Sequence, residues 1–254
     1  MADELVHAEQ RGAVRVLTMY RPDKKNAFNN AMYRAMADAI SAAQRDDAVH
    51  VVLLTGTGDT FCAGQDFSEM SSDAGAEHAF PLFMQTLVEC DKPIVTAVNG
   101  VGIGLGTTML LHTDINFIAA EARLRLPFVT LGVVPEAASS YLLPIVIGHQ
   151  RAADVLFTAR WIGAEESVAL GLTCAVVARE RLFDTAFAKA AEIAANPPAA
   201  VQHTKRLMRI WRRDAIAAAR QREDEAFQER LGTPENLEAI RAFFEKRSAD
   251  FSKR

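Results

Sequence analysis

The chain has 254 residues, 50% of them hydrophobic and 24% charged, with a formal net charge of −4. That is ordinary globular composition, enough for one large domain or two small ones, and its acidic balance excludes a general nucleic-acid binder. Three cysteines, Cys62, Cys90 and Cys174, are isolated and odd in number, which excludes a disulfide framework and a zinc cluster and points to a reducing cytoplasm.

Met1 to Gln10 carries Asp3, Glu4 and Glu9 with no apolar core, so it reads as neither signal nor transit peptide. Val14 to Met19 is rich in β-formers. Asn29 to Arg45 has apolar residues at helical spacing (Met32, Met36, Ile40, Ala43), with Asn29 or Asn30 as its cap. Val51 to Thr55 predicts a buried strand, Ala79 to Glu89 a helix, and Ile94 to Val98 another strand. A helix is expected from Gly104 or Gly106 to His112, then strands at Asp114 to Ala119 and Thr173 to Val177. Alternating strands and helices imply right-handed crossovers and an α/β fold with a mostly parallel sheet. The end of the chain changes character. Arg181 to Asn196, Ala199 to Trp211, Asp214 to Arg230 and Glu235 to Lys246 all read as helix. A core of residues 1–196 and a helical region of 197–254 follow from this. No segment reaches the ~18 uninterrupted apolar residues of a membrane span.

Two glycine-bearing turns stand out. Phe61-Cys62-Ala63-Gly64-Gln65-Asp66 follows the Val51 to Thr55 strand, and Asn99-Gly100-Val101-Gly102-Ile103-Gly104-Leu105-Gly106 follows the next. Such turns leave N–H groups facing a crevice, and two of them side by side can aim two donors at one carbonyl oxygen. With Arg21-Pro22-Asp23-Lys24-Lys25-Asn26-Ala27, Leu131-Gly132-Val133-Val134-Pro135-Glu136 and Ala242-Phe243-Phe244-Glu245-Lys246-Arg247, these turns form an ordered set. The set resembles the crotonase superfamily, the enoyl-CoA hydratase/isomerase family, along the whole chain. The resemblance implies the ClpP/crotonase-like fold of repeated ββα units. It also implies a helical C-terminal region that covers the site and builds a homotrimer or a dimer of trimers. The expected ligand is an acyl-CoA thioester, with no cofactor beyond the coenzyme A of the substrate, and no metal, nucleic-acid or membrane partner.

By the same match, the oxyanion donors are the backbone N–H groups of Gln65 and Leu105. The two glutamates of standard hydratases would fall at Thr108 and Phe128. Neither side chain is a general base near neutral pH. A carboxylate stands instead at Glu136, in Pro135-Glu136-Ala137-Ala138-Ser139-Ser140. That pattern resembles the peroxisomal-type Δ3,Δ2-enoyl-CoA isomerases, in which one glutamate moves a proton from C2 to C4. Apolar neighbours (Val133, Val134, Ala137, Ala138, Phe128) would raise its pKa. The competing role is that of a helix N-terminal glutamate with Pro135 in the first turn.

Lys24, Lys25 and Ala27 are expected to line the CoA nucleotide site, with Ala63, Asp66, Gly104, Thr108 and Phe128 in the binding set and Phe243 and Lys246 completing it by the family match, often from a neighbouring subunit. Asp66 also reads as a loop brace that accepts N–H bonds, and Asn99 as a tie for its turn. Each cysteine reads as a small buried residue, His112 as core and His203 as surface. The basic stretch from Lys205 to Arg213, followed by Glu223, Asp224 and Glu225, reads as a solvated or inter-subunit face. Phe67 to Phe80 is expected to form a lid. The expected reaction is Δ3,Δ2 isomerisation. The alternatives are an atypical hydratase or another enolate reaction of the same fold, a dehalogenase-like relative, and a non-catalytic acyl-CoA binder.

Overall fold

The computed structural model describes residues 5–66 and 78–252. Among the described residues ten strands form two sheets. The larger contains β1 (Val6–Arg11), β2 (Val14–Met19), β3 (Val51–Gly56), β5 (Ile94–Val98), β7 (Ile115–Ala119) and β10 (Ala175–Val177), in that spatial order. Within this sheet the β1–β2 hairpin is antiparallel and the other described pairs are parallel. The smaller sheet contains β4 (Thr60–Cys62), β6 (Val101–Ile103), β8 (Arg123–Arg125) and β9 (Trp161–Gly163).

Chain order explains the pairing. β3, β5 and β7 enter the larger sheet, and the strand after each, β4, β6 and β8, enters the smaller one. Helix α2 (Phe80–Glu89) follows β4 and α3 (Leu105–Thr108) follows β6. These are the expected ββα units. Every residue of β3 and β5 is buried, as parallel strands covered on both faces require.

Helix α1 (Asn30–Arg45) starts where expected, with the Asn29 carboxamide oxygen accepting from the Met32 N–H at 2.9 Å. Five strands went unread. Three-residue strands such as β4 and β6 are too short to show a period, and β1 is mostly exposed. The glycine turns therefore end β4 and β6, not the longer strands before them. Three helices were also unread: α4 (Ser139–Ile147), α5 (His149–Thr158) and α6 (Ala164–Ala169). In α4, Pro144 lies inside the helix and masks the pattern.

Helix α7 (Arg179–Ala194) packs against β2, β3, β5, β7 and β10. Helices α8 (Pro198–Ile210), α9 (Arg213–Arg230) and α10 (Pro234–Phe244) follow, so residue 196/197 falls between α7 and α8. The solvated-face reading of the basic stretch is overturned at two positions. Lys205 is buried and donates to the Lys92 carbonyl at 2.9 Å and to Asp114 at 2.7 Å. Glu223 is buried on the stripe of α9 that also carries Ile216 and Ala219. Cys62 and Cys90 are buried as expected, but Cys174 is exposed. Of the expected lid, residues 67–77 lie outside the described residues, and Phe80 opens α2.

Candidate active site

The parallel pairing of β4 with β6 aligns Thr60 with Val101 and Cys62 with Gly102. Two loops therefore leave adjacent parallel strands at the same end, the place where α/β sheets bind ligands. The loops touch backbone to backbone. Gly64 has φ +88, and a Cβ there would lie 2.8 Å from the Ile103 carbonyl oxygen. A Cβ on Gly106 would lie 2.3 Å from the Cys62 carbonyl oxygen. Any larger residue would part the two turns.

Residues 24–28 run alongside the first turn. Ala63 N–H donates to the Lys25 carbonyl, Phe28 N–H to the Gly64 carbonyl and Asp66 N–H to the Phe28 carbonyl. This parallel bridge leaves the Gln65 N–H pointing away from Phe28. Leu105 is the first residue of α3, so its N–H has no partner within the helix. Among the described residues neither N–H has a hydrogen-bond acceptor, and both residues line one cavity of about 460 Å³. Two N–H groups left without acceptors on one cavity are what a two-donor oxyanion hole would require.

Glu136 lines the same cavity. It does not belong to a helix, because α4 starts only at Ser139 and Ala137 and Ala138 are both left-handed, with φ 59 and 57. The helix N-terminal role for Glu136 is therefore excluded. Part of its surface opens to the cavity while protein surrounds the rest. Burial pushes its carboxyl up to about 8, with the Glu223 charge adding to the effect and the Thr108 hydroxyl opposing it. Thr108 Oγ1 is buried and has no hydrogen-bond partner of normal length among the described residues. Glu136 is thus a weak acid with the basicity suited to proton transfer near neutral pH.

The rest of the wall is largely apolar. Pro127, Phe128, Leu131 and Val133 come from the segment after β8, Phe227 from α9, Leu231 from just past its end and Ile240 from α10. The C-terminal helices thus cover the site of their own chain. Asn236 secures α10, donating to the Leu131 carbonyl at 2.7 Å. Near the first turn, Tyr33 is buried in α1 and donates to the Gln65 side-chain oxygen at 2.6 Å. Cys62 lies beneath that turn, and burial pushes its thiol up to about 12, so it packs and does not react.

The expected binding residues separate into two groups. Ala63, Gly104 and Phe128 line the cavity, and Thr108 lies buried beside Glu136. Ala27 is buried and accepts from Arg21 at 2.6 Å, so it braces the loop. Asp66 braces it too, through an ion pair with Arg21 at 3.1 Å. Asn99 ties its turn as expected, accepting from the Gly56 N–H at 3.1 Å and donating to the Gly58 carbonyl at 3.0 Å. Lys24 and Lys25 are exposed beside the first turn and outside the cavity. Phe243 is 60% exposed and Lys246 is exposed beyond the end of α10, so the fold does not bring either to the cavity of its own chain. Among the described residues no group of His, Cys, Asp and Glu is placed to hold a metal.

Two polar residues of the site were not read as such. Glu223 accepts from the Ala138 N–H at 2.6 Å and the Ser140 N–H at 2.8 Å. His112 is core as expected, yet its Nε2 lies 2.7 Å from the Ala137 carbonyl oxygen. Burial pushes its imidazole down to about 4, so the neutral ring donates from Nε2. For Glu223 the available signal was a carboxylate continuing the Ile216–Ala219 stripe of a helix.

A family model described as enoyl-CoA hydratase/isomerase matches residues 9–254. A short-chain-enoyl-CoA hydratase of Clostridium acetobutylicum is 34% identical over 95% of this chain and 95% of its own length. Enoyl-CoA delta isomerase 2 of Rattus norvegicus is 30% identical over 91% of this chain and 61% of its own length. A crystal structure of an enoyl-CoA hydratase/isomerase from Pseudoalteromonas atlantica superposes with a TM-score of 0.93 at 38% identity, covering 98% of this chain and 100% of that one.

Proposed function

Because the chain belongs to the enoyl-CoA hydratase/isomerase family, we propose that it shifts the double bond of a 3-enoyl-CoA to C2 with Glu136 as the single acid and base. Relatives named as hydratase and as isomerase have similar identities to it, so similarity alone does not choose the reaction. The carrying observation is the carboxylate count. Glu136, Glu223 and Asp224 line the cavity. Glu223 has both oxygens committed to backbone N–H groups, and Asp224 is exposed. Among the described residues, Glu136 is the one carboxylate on this cavity that has its pKa raised to about 8 and is neither tied to backbone N–H groups nor exposed.

In this reading the thioester oxygen sits between the Gln65 and Leu105 N–H groups. Ionised Glu136 takes a proton from C2, and the electron pair spreads into a dienolate whose oxygen charge the two donors hold. Each such donor is worth ~3 kcal/mol in comparable sites. The protonated Glu136 then delivers the same proton to C4, which leaves the double bond at C2 and the carboxylate restored. No water is consumed, so one carboxylate suffices.

A second reading is hydration, favoured by the Thr108 hydroxyl beside Glu136, which has no hydrogen-bond partner of normal length among the described residues and can orient a water molecule. The deciding experiment assays wild type and Glu136→Gln with a 3-enoyl-CoA and a 2-enoyl-CoA. Isomerisation of the first alone, lost in the variant, supports the proposal, and hydration of the second supports the rival. Binding without turnover of either would make the protein an acyl-CoA binder.

The proposal includes a homotrimer or a dimer of trimers. Leu207, Met208, Ile210 and Trp211 on α8 and just beyond it are 72%, 68%, 66% and 63% exposed, an apolar patch of the kind that marks an interface. Light scattering of the purified protein reads the mass directly. A reducing cytoplasm is the proposed setting, and among the described residues no helix is long and apolar enough to cross a membrane.

A further inference from the structure

We propose that Glu223 is a positioning residue for Glu136: from α9 it clamps the left-handed Ala137-Ala138 turn that aims the Glu136 carboxyl into the cavity. This rests on Glu136 being the base, as proposed above. Two consecutive alanines at φ 59 and 57 sit in the left-handed region that side chains with a Cβ disfavour. Such a turn persists only when its surroundings over-determine it.

The surroundings do so from two sides. Glu223 takes the Ala138 and Ser140 N–H groups on its two oxygens, at 2.6 and 2.8 Å. His112 holds the Ala137 carbonyl at 2.7 Å. The Ser139 N–H and hydroxyl both return to the Glu136 carbonyl, at 2.9 and 2.5 Å. Ala138 stands at the N-cap of α4 and has no side chain to cap it. Glu223 therefore serves as that cap from 85 residues away in sequence, and its charge faces the positive end of the helix.

The clamp also acts on charge. Glu223 is the larger of two acidic neighbours that disfavour ionised Glu136, the other being Asp224 on the same helix. Among the described residues, the facing groups from other elements are Tyr33 of α1 and Cys62 of β4, both neutral as their acidity is suppressed by burial, with neutral His112 behind the turn. Removing the Glu223 charge therefore makes Glu136 easier to ionise while loosening its aim.

The test compares wild type with Glu223→Gln, which keeps the side-chain volume and one acceptor oxygen, and with Glu223→Asp, which keeps the charge but shortens the reach. For Glu223→Gln the plateau kcat is expected to fall about tenfold to a hundredfold, as for a small misplacement of a reacting group, with KM within about twofold. The midpoint of the kcat/KM–pH profile should move down by about half a unit or more, since that profile reports the free enzyme. Glu223→Asp should lose kcat without that downward movement. A purely structural Glu223 would lower the melting temperature alone and leave kcat and the midpoint as in wild type, which overturns the proposal. Carbon-13 NMR titration of the Glu136 carboxyl in wild type and Glu223→Gln separates this inference from the assigned reaction. An unchanged midpoint there overturns the coupling whatever the enzyme catalyses. A lowered one upholds it even if the double-bond shift is not observed.

Discussion

Gly64 and Ile103 meet backbone to backbone: the glycine, at φ +88, leaves no room for a Cβ, which would lie 2.8 Å from the Ile103 carbonyl oxygen. The contact joins the loop that carries the Gln65 N–H to the loop that carries the Leu105 N–H. The spacing of the two donors is thus a property of a glycine that touches no ligand chemistry itself.

Gly64→Ala tests this directly. The alanine is disfavoured at that φ and collides with a carbonyl that cannot withdraw without moving Gly104. We expect a stability loss of roughly 1–3 kcal/mol by urea denaturation, and a fall in kcat larger than any rise in KM. Wild-type turnover in a stably folded variant would show that donor spacing does not limit the rate.

The Glu136 ionisation predicts a pH dependence of activity. With its carboxyl pushed up to about 8, the base form is a minority at neutral pH. The kcat/KM of the isomerisation should therefore climb as pH rises and level off above about 8. A profile already flat from pH 6 would mean that Glu136 ionises like an ordinary carboxyl.

Stability carries the same ionisation with opposite sign. The folded-state pKa lies above the ordinary value of 4.5, so the protonated group favours the fold fully below that value. The advantage is lost as pH rises through about 8. Glu136→Gln cannot ionise, so its stability relative to wild type should grow between these limits by a few kcal/mol, at about 1.4 kcal/mol for each pH unit that separates them. Denaturation midpoints of the pair at pH 4, 6 and 8.5 check this, and a pH-independent difference would contradict it.

Tyr33→Phe removes one hydroxyl and nothing else. Gln65 then loses its 2.6 Å bond and its side chain is freed within the cavity wall. A stability cost of about 1 kcal/mol is expected, with a fall of no more than about tenfold in kcat because the Gln65 N–H donor itself remains. Thermal melts and steady-state kinetics on the same preparation separate the two effects.

Lys205 ties α8 to the core. Its side chain is only 10% exposed, and its ammonium meets Asp114, which also accepts from the Ile94 N–H at 2.7 Å. Lys205→Ala leaves that carboxylate without its cation. A loss of about 2 kcal/mol is expected, below the range for fully buried pairs because Asp114 keeps 30% exposure. Isomerase activity at a temperature well below the melt should be retained, since Lys205 does not line the cavity that holds Glu136.

Much of this protein is written locally. Val51 to Gly56 and Ile94 to Val98 are apolar throughout because parallel strands are covered on both faces, so composition alone marks them. Asn29 before an amphipathic run announces α1. Glycines 64 and 106 announce close backbone approach, and Glu136 is conspicuous among alanines and valines. What lay beyond reach are features in which a short segment takes its meaning from a distant partner. The three-residue strands β4 and β6 exist because they pair with each other, not because of any period of their own. Glu223 looks like one acid in an acidic run, its place on the Ile216–Ala219 stripe being the one hint, and the packing of α9 on α4 turns it inward. Residue types and spacings along one stretch of chain determine strands, caps and turns. Tertiary structure alone decides which carboxylate is capped, which faces the cavity and which N–H groups stay free, because burial and hydrogen-bond satisfaction depend on what the rest of the chain places alongside.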